Sequence, residues 1–176
     1  NSTFVTDRLL GGSLNDPRQR ASILVLVLVI HALSGICLTL MLGAAYLVNG
    51  DPLYFAATMI GFITVVGYLG TLLYFKWQQS LVSAANFYAL CTTFSTVMPC
   101  AITGGVTASP YLSLVLVVPI FLFLMAGRRY GIYWSLVAVG CIAALLVLEM
   151  TGVTFPQILS ESARAAFTFT TWATTL

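Results

Sequence analysis

Between Trp77 and Gly127 the chain contains no Asp, Glu, Lys or Arg, and the stretches 21–50, 52–75 and 130–148 are equally free of them. A charged side chain at the centre of a bilayer costs about 2.5–3.5 kcal/mol on insertion scales, so charges in a membrane protein gather where the chain surfaces. Here they fall at the turns between apolar runs, which points to a polytopic, all-α membrane bundle. Hydrophobic residues make up 60% of the chain and charged residues 7%, against about 25% charged in an average soluble domain. At about 20 residues per span, 176 residues hold five or six helices with short loops and no sizeable soluble domain. The net charge of +2 is too small to point to nucleic acid.

Residues 1–20 read as a surface arm on the cytoplasmic side, with Phe4, Val5, Leu9 and Leu10 on one short apolar face. Residues 21–176 form the membrane domain, with spans expected at about 21–48, 53–75, 80–102, 110–126, 130–150 and 162–176. Asp16-Pro17 and Asn49-Gly50-Asp51-Pro52 supply the start and stop signals around the first two spans. Thr103-Gly104-Gly105 breaks the third, and Ser109-Pro110 is the expected start of the fourth. No cleaved secretory signal is visible, so the first span is expected to direct insertion itself. The sixth segment offers about 15 helical residues, or ~22 Å, short of a ~30 Å hydrocarbon core, and is expected to continue past Leu176.

The basic residues set the expected orientation. Arg8, Arg18, Arg20, Lys76, Arg128 and Arg129 fall on one side and only Arg164 on the other, six against one. By the positive-inside rule the N-terminus is cytoplasmic, which for a bacterial chain means the inner membrane. Lys76-Trp77 and Arg128-Arg129 with Trp134 are the expected anchors at the membrane–water boundary.

Thr103-Gly104-Gly105, Ser109-Pro110, Pro119, Gly127-Arg128-Arg129-Tyr130-Gly131 and Trp134 form an ordered string. It resembles the six-helix N-terminal membrane modules of bacterial sensor histidine kinases, also found on diguanylate cyclases and class III adenylyl cyclases. The resemblance implies a sensor or anchor that works as a homodimer, with the sixth helix leading into a cytoplasmic catalytic domain. A purely mechanical account of the same residues also holds: Gly-Gly permits a tight turn, Ser-Pro starts a helix, and Arg-Arg pins its inner end.

Candidate chemistry is sparse. His31 is the only histidine and lies within the first span, where it reads as a helix–helix hydrogen bond, a ligand or proton sensor, or a metal or haem ligand. A single His with no suitably spaced Cys or carboxylate is a poor metal site, so neither metal nor cofactor is expected in this segment. Cys37, Cys91, Cys100 and Cys141 read as small packing residues. The third span carries Asn86, Thr92, Thr93, Ser95, Thr96 and Cys100, too much polarity to face lipid. Asn86, Thr93 and Cys100 repeat every seven residues on one face, with Thr92 and Thr96 in a row beside it. Pro99 and Pro119 favour kinks that can open cavities. His31, Asn86 and Pro119, all about 9–12 Å deep by residue rise, with Thr93 and Thr96 further out, are the expected wall of a pocket for a small hydrophobic ligand. Glu149, Glu161 and Arg164 read as boundary charges or a second place for a charged ligand, and Gly140 with Ala144 as a close helix contact within or between chains.

Three function classes compete. A receptor module relays ligand binding through the sixth helix to an enzyme domain, first of all a histidine kinase, with a diguanylate or adenylyl cyclase as the alternative. A small transporter needs a polar path or broken helices at mid-membrane, and the scarcity of intramembrane charge argues against it. An intramembrane enzyme lacks a nucleophile–base pair to build from. The receptor reading is the leading expectation, with the lipid bilayer, a second copy of the chain and a small hydrophobic ligand as partners.

Overall fold

Two Asp-Pro pairs start the first two helices. In the computed structural model, which describes residues 16–109 and 111–156, Asp16 caps α1 (Pro17–Asn49), its carboxylate accepting from the Arg18 N–H at 2.9 Å. Asp51 caps α2 (Pro52–Gln78) in the same way, accepting from Leu53 at 2.9 Å. In both, Pro occupies the first helical position, where the missing N–H has no partner to lose. α1 ends on Gly50 at φ 68°, a left-handed conformation that glycine adopts without a Cβ clash. Ser80 caps α3 (Leu81–Ile102), and α5 (Arg128–Met150) follows the turn at Gly127.

The chain between α3 and α5 departs from the expected single span at 110–126. After α3, Gly104 and Gly105 take positive φ, 104° and 75°, and one isolated helical turn follows at Gly105–Ala108. α4 then covers only Leu112–Met125, 14 residues or about 21 Å, shorter than a ~30 Å hydrocarbon core. The physical cause lies in the loop: Ser109 is extended, with φ −79° and ψ 128°, so the helix begins after it. Among the described residues four helices, α1, α2, α3 and α5, are long and apolar enough to cross a membrane, where five spans were expected there. The expected sixth segment, 162–176, and nearly all of the arm 1–20 lie outside the described residues.

Facing residues fix the topology. Gly35 lies against Val65, Thr39 against Gly61 and Gly43 against Thr58, so α1 and α2 run antiparallel. A Cβ on Gly61 would collide with the Thr39 hydroxyl oxygen, so glycine lets the two helices cross this closely. Gly131 does the same for α5, passing the Phe123 ring of α4 so closely that any Cβ would meet its carbons. The remaining pairs continue up and down. Arg18, Arg20, Lys76, Arg128 and Arg129 thus share one end of the bundle, called the basic end below.

α3 is the spindle of the bundle, packing against every other helix. Its stripe of small residues, Ala84, Ala85 and Ala89, is fully buried. On one side Ala84 and Tyr88 meet Leu24, Leu28 and Ala32 of α1 and Tyr68 of α2. On the other, Ala85 and Ala89 meet Val118, Leu122 and Met125 of α4 and Trp134 of α5. Thr92, Thr93, Thr96 and Cys100 are buried too, as the polarity of this span required.

Candidate functional site

The hydroxyls of α3 are spent largely on their own helix. Thr92 donates to the Tyr88 carbonyl at 2.9 Å, and Thr96 lies 2.9 Å and 3.0 Å from the Thr92 and Thr93 carbonyls. Back-bonding of this kind lets a threonine sit in an apolar contact without an unsatisfied donor. Thr93 and Thr96 both lie on the buried side of the spindle, 8% and 2% exposed, and Thr96 packs there with its hydroxyl bonded to its own helix.

His31 sits where α1, α2 and α3 meet. Its Nδ1 lies 2.8 Å from the Val27 carbonyl, which can only accept, so the proton is on Nδ1. Nε2 of the neutral ring is then an acceptor, 3.5 Å from the Tyr88 hydroxyl. The Tyr68 and Tyr88 rings stand edge-on to the imidazole, with centroids 5.5 Å and 5.6 Å away. Tyr68 continues the network outward, donating to Thr92 Oγ1 at 3.2 Å and lying 3.2 Å from Ser95 Oγ. On the far side Tyr88 packs against Phe121 of α4, with centroids 4.8 Å apart.

Asn86 belongs to a different contact. Trp134 Nε1 donates to Asn86 Oδ1 at 2.8 Å, and Asn86 Nδ2 donates back to the Val82 carbonyl at 2.7 Å. This ties α5 to α3. Trp134, expected as a boundary anchor, is 7% exposed and points into the bundle, whereas Trp77 is 83% exposed. Lys76, Arg128 and Arg129 are exposed. Pro119 is buried inside α4, where its ring removes the helical bond to the Val115 carbonyl.

The residues singled out from the sequence are therefore divided among separate contacts rather than gathered around one space. A cavity of about 90 Å³ does exist, but it lies further from the basic end, between α1, α2 and α3. Gly35 and Leu38 of α1, Ala57 and Thr64 of α2, and Ser95 and Pro99 of α3 line it. Of the two prolines read from the sequence as cavity-forming, Pro99 lines it and Pro119 does not. The glycines and alanine carry no chemical mark, since a void follows from shape. Ser95 joins the two features, as a wall of the cavity and a neighbour of the Tyr68 hydroxyl.

At the end away from the basic residues, Glu149 Oε2 accepts from the Val106 N–H at 3.2 Å, pinning the isolated turn to the end of α5. Glu161 and Arg164, expected beside it, lie outside the described residues. Gly140 and Ala144 are exposed, with no described neighbour near the Gly140 Cα face. Among the described residues no group of three or more His, Cys, Asp or Glu is placed to hold a metal ion, and the four cysteines are free.

The architecture and composition define an all-helical bundle with the build of a membrane protein. Compared with protein-family models, with curated proteins and with solved structures, the chain matches none.

Proposed function

We propose that the chain is the membrane-embedded sensory module of a bacterial receptor enzyme, seated in the cytoplasmic membrane with its basic end inward. The observation that carries this reading is the His31–Tyr88–Tyr68–Ser95 network. It is a set of polar side chains from three helices, held in a charge-free bundle and reaching the wall of a cavity. The ordered Thr-Gly-Gly, Ser-Pro and Gly-Arg-Arg string, with its resemblance to sensor-kinase membrane modules, supports the same reading. In this scheme a small hydrophobic ligand favours one of two arrangements of α1 and α2 against the spindle. The sixth helix carries the difference, in a homodimer, to a catalytic domain: a histidine kinase, or alternatively a nucleotide cyclase.

A ligand moves such an equilibrium only by its difference in affinity for the two states, and a swing from 1:99 to 99:1 needs about 10⁴-fold. The test uses the native protein in full. Its sequence after Leu176 is expected to continue as a helix into an ATP- or GTP-using domain; further spans would turn the reading towards transport. In that protein His31→Ala, folded as judged by thermal melting, is expected to lose the change in phosphorylation or cyclisation on stimulation. A response equal to the parent's would sink the assignment of the network.

A further inference from the structure

The cavity between α1, α2 and α3 has walls that select a guest. Three of its hydroxyls already donate to their own helix: Thr64 Oγ1 to the Ile60 carbonyl at 2.8 Å, Ser95 Oγ to the Thr92 carbonyl at 2.9 Å and Thr103 Oγ1 to the Pro99 carbonyl at 2.7 Å, with Tyr111 as a further wall. Leu38, Leu42, Ile60 and Ile102 supply much of the remaining surface, and no charged side chain lines it. A polar guest would give up its own hydration and find few free partners, and a lone water would lack the two to four it needs. Ala57, Thr64 and Thr103 are buried walls of the cavity, and Leu38 and Leu42 are half-buried ones.

We propose that this cavity is a binding site for the end of an uncharged saturated alkyl chain. Size supports the choice. A cavity of about 150 Å³ admits benzene, so by proportion 90 Å³ takes a piece of about three or four carbons, the tip of a chain rather than a ring. The chain tip would meet Ser95, whose Oγ lies 3.2 Å from the hydroxyl of Tyr68, the ring that stands beside His31. The site itself stands on the cavity; its role as the signalling site rests on the function proposed above. Bilayer lipid tails and free amphiphiles share this chemistry.

Photolabelling of the full chain in phosphatidylcholine nanodiscs tests the site without any signalling readout. Two probes are used: 1-octanol with a diazirine near its methyl end, and phosphatidylcholine with the same group at one tail end. Light expels dinitrogen, and the carbene left on the probe inserts into a nearby C–H bond. Adducts on Leu38, Ala57, Ile60 or Ile102 are expected, from the alcohol if the guest is a free amphiphile and from the phospholipid if it is a bilayer tail. Ala57→Leu places three more carbons in the space and is expected to cut those adducts about tenfold, since overpacking costs at least a kilocalorie or so. If that variant does not fold, excess unlabelled 1-octanol or unlabelled lipid on the parent protein is expected to compete for the same adducts. Labelling by both probes only at exposed positions such as Leu40, Met41 and Leu47, unchanged by competitor, overturns the proposal. Loss of signalling with these adducts intact would count against the function and leave the site standing.

Discussion

The half of the bundle near the basic end and the half away from it are built on different principles. In the first, both apolar clusters, the His31 network and the Asn86–Trp134 bond interlock α1 to α5 around alanines that leave no slack. In the second, α4 begins late, the backbone leaves the helix at Gly104, and a cavity stands between α1, α2 and α3. Leu47 and Val48 at the end of α1 are 84% and 83% exposed, while Leu24 and Leu28 nearer its start are fully buried. Regions with fewer buried contacts open at lower free energy. The contrast therefore teaches where a ligand could move helices cheaply and where the bundle would resist.

Substitutions can break or sharpen this contrast. The largest effect is expected from Leu28→Ala in the tight half, about 2–5 kcal/mol from lost contacts and the cavity left behind. Leu40→Ala, exposed on the same helix, should stay within ~0.5 kcal/mol. Reversible unfolding in mixed micelles measures both, and similar losses would abolish the distinction. Ala89→Leu drives three carbons into a fully buried contact, costing about 1–3 kcal/mol. The same exchange at Ala57 fills existing space, so its loss should be clearly smaller in the same melts.

Glu149→Leu removes the acceptor of the Val106 N–H. A hydrogen bond to a charged group contributes about 1.5–3 kcal/mol, less at a wet boundary. Faster amide exchange over 105–109, with little change near Trp134, is the expected signature. A small effect also belongs to Asn86 and Trp134, whose coupling in an Asn86→Leu, Trp134→Phe double-mutant cycle is expected at ~0.6 kcal/mol, the usual worth of such bonds in membranes. A coupling above about 2 kcal/mol would make that bond a principal clamp of the tight half rather than one contact among many.

The sequence made the helix ends of α1, α2 and α3 readable, because Asp-Pro, Gly50 and Ser80 act through local geometry that needs no tertiary context. The burial of α3 was equally legible, since threonines that cannot face lipid must face protein. The start of α4 was read to within two residues, Pro110 against Leu112, but the isolated turn at Gly105–Ala108 was not, because only the glycines and the bond to Glu149 place it. The same limit governed the site. Depth along each helix put His31, Asn86 and Pro119 at one level, but level is only one coordinate. The angular position of Asn86 sends its side chain to Trp134, while His31 meets Tyr88 and Tyr68, partners that no spacing rule picked out. Thr93 and Thr96 share the buried side with these residues, and the Thr96 hydroxyl is spent on its own helix.

The spindle also bears on how the chain is made. α3 is the least apolar of the four long helices, and its polar face has no comfortable place in hydrocarbon on its own. When it leaves the ribosome, α1 and α2 have already been synthesised and can cover the side bearing Ala84 and Tyr88. The side bearing Ala85 and Ala89 waits for α4 and α5. Biogenesis thus contains an interval in which half of this helix is uncovered, and the insertion machinery must hold it until α4 and α5 arrive.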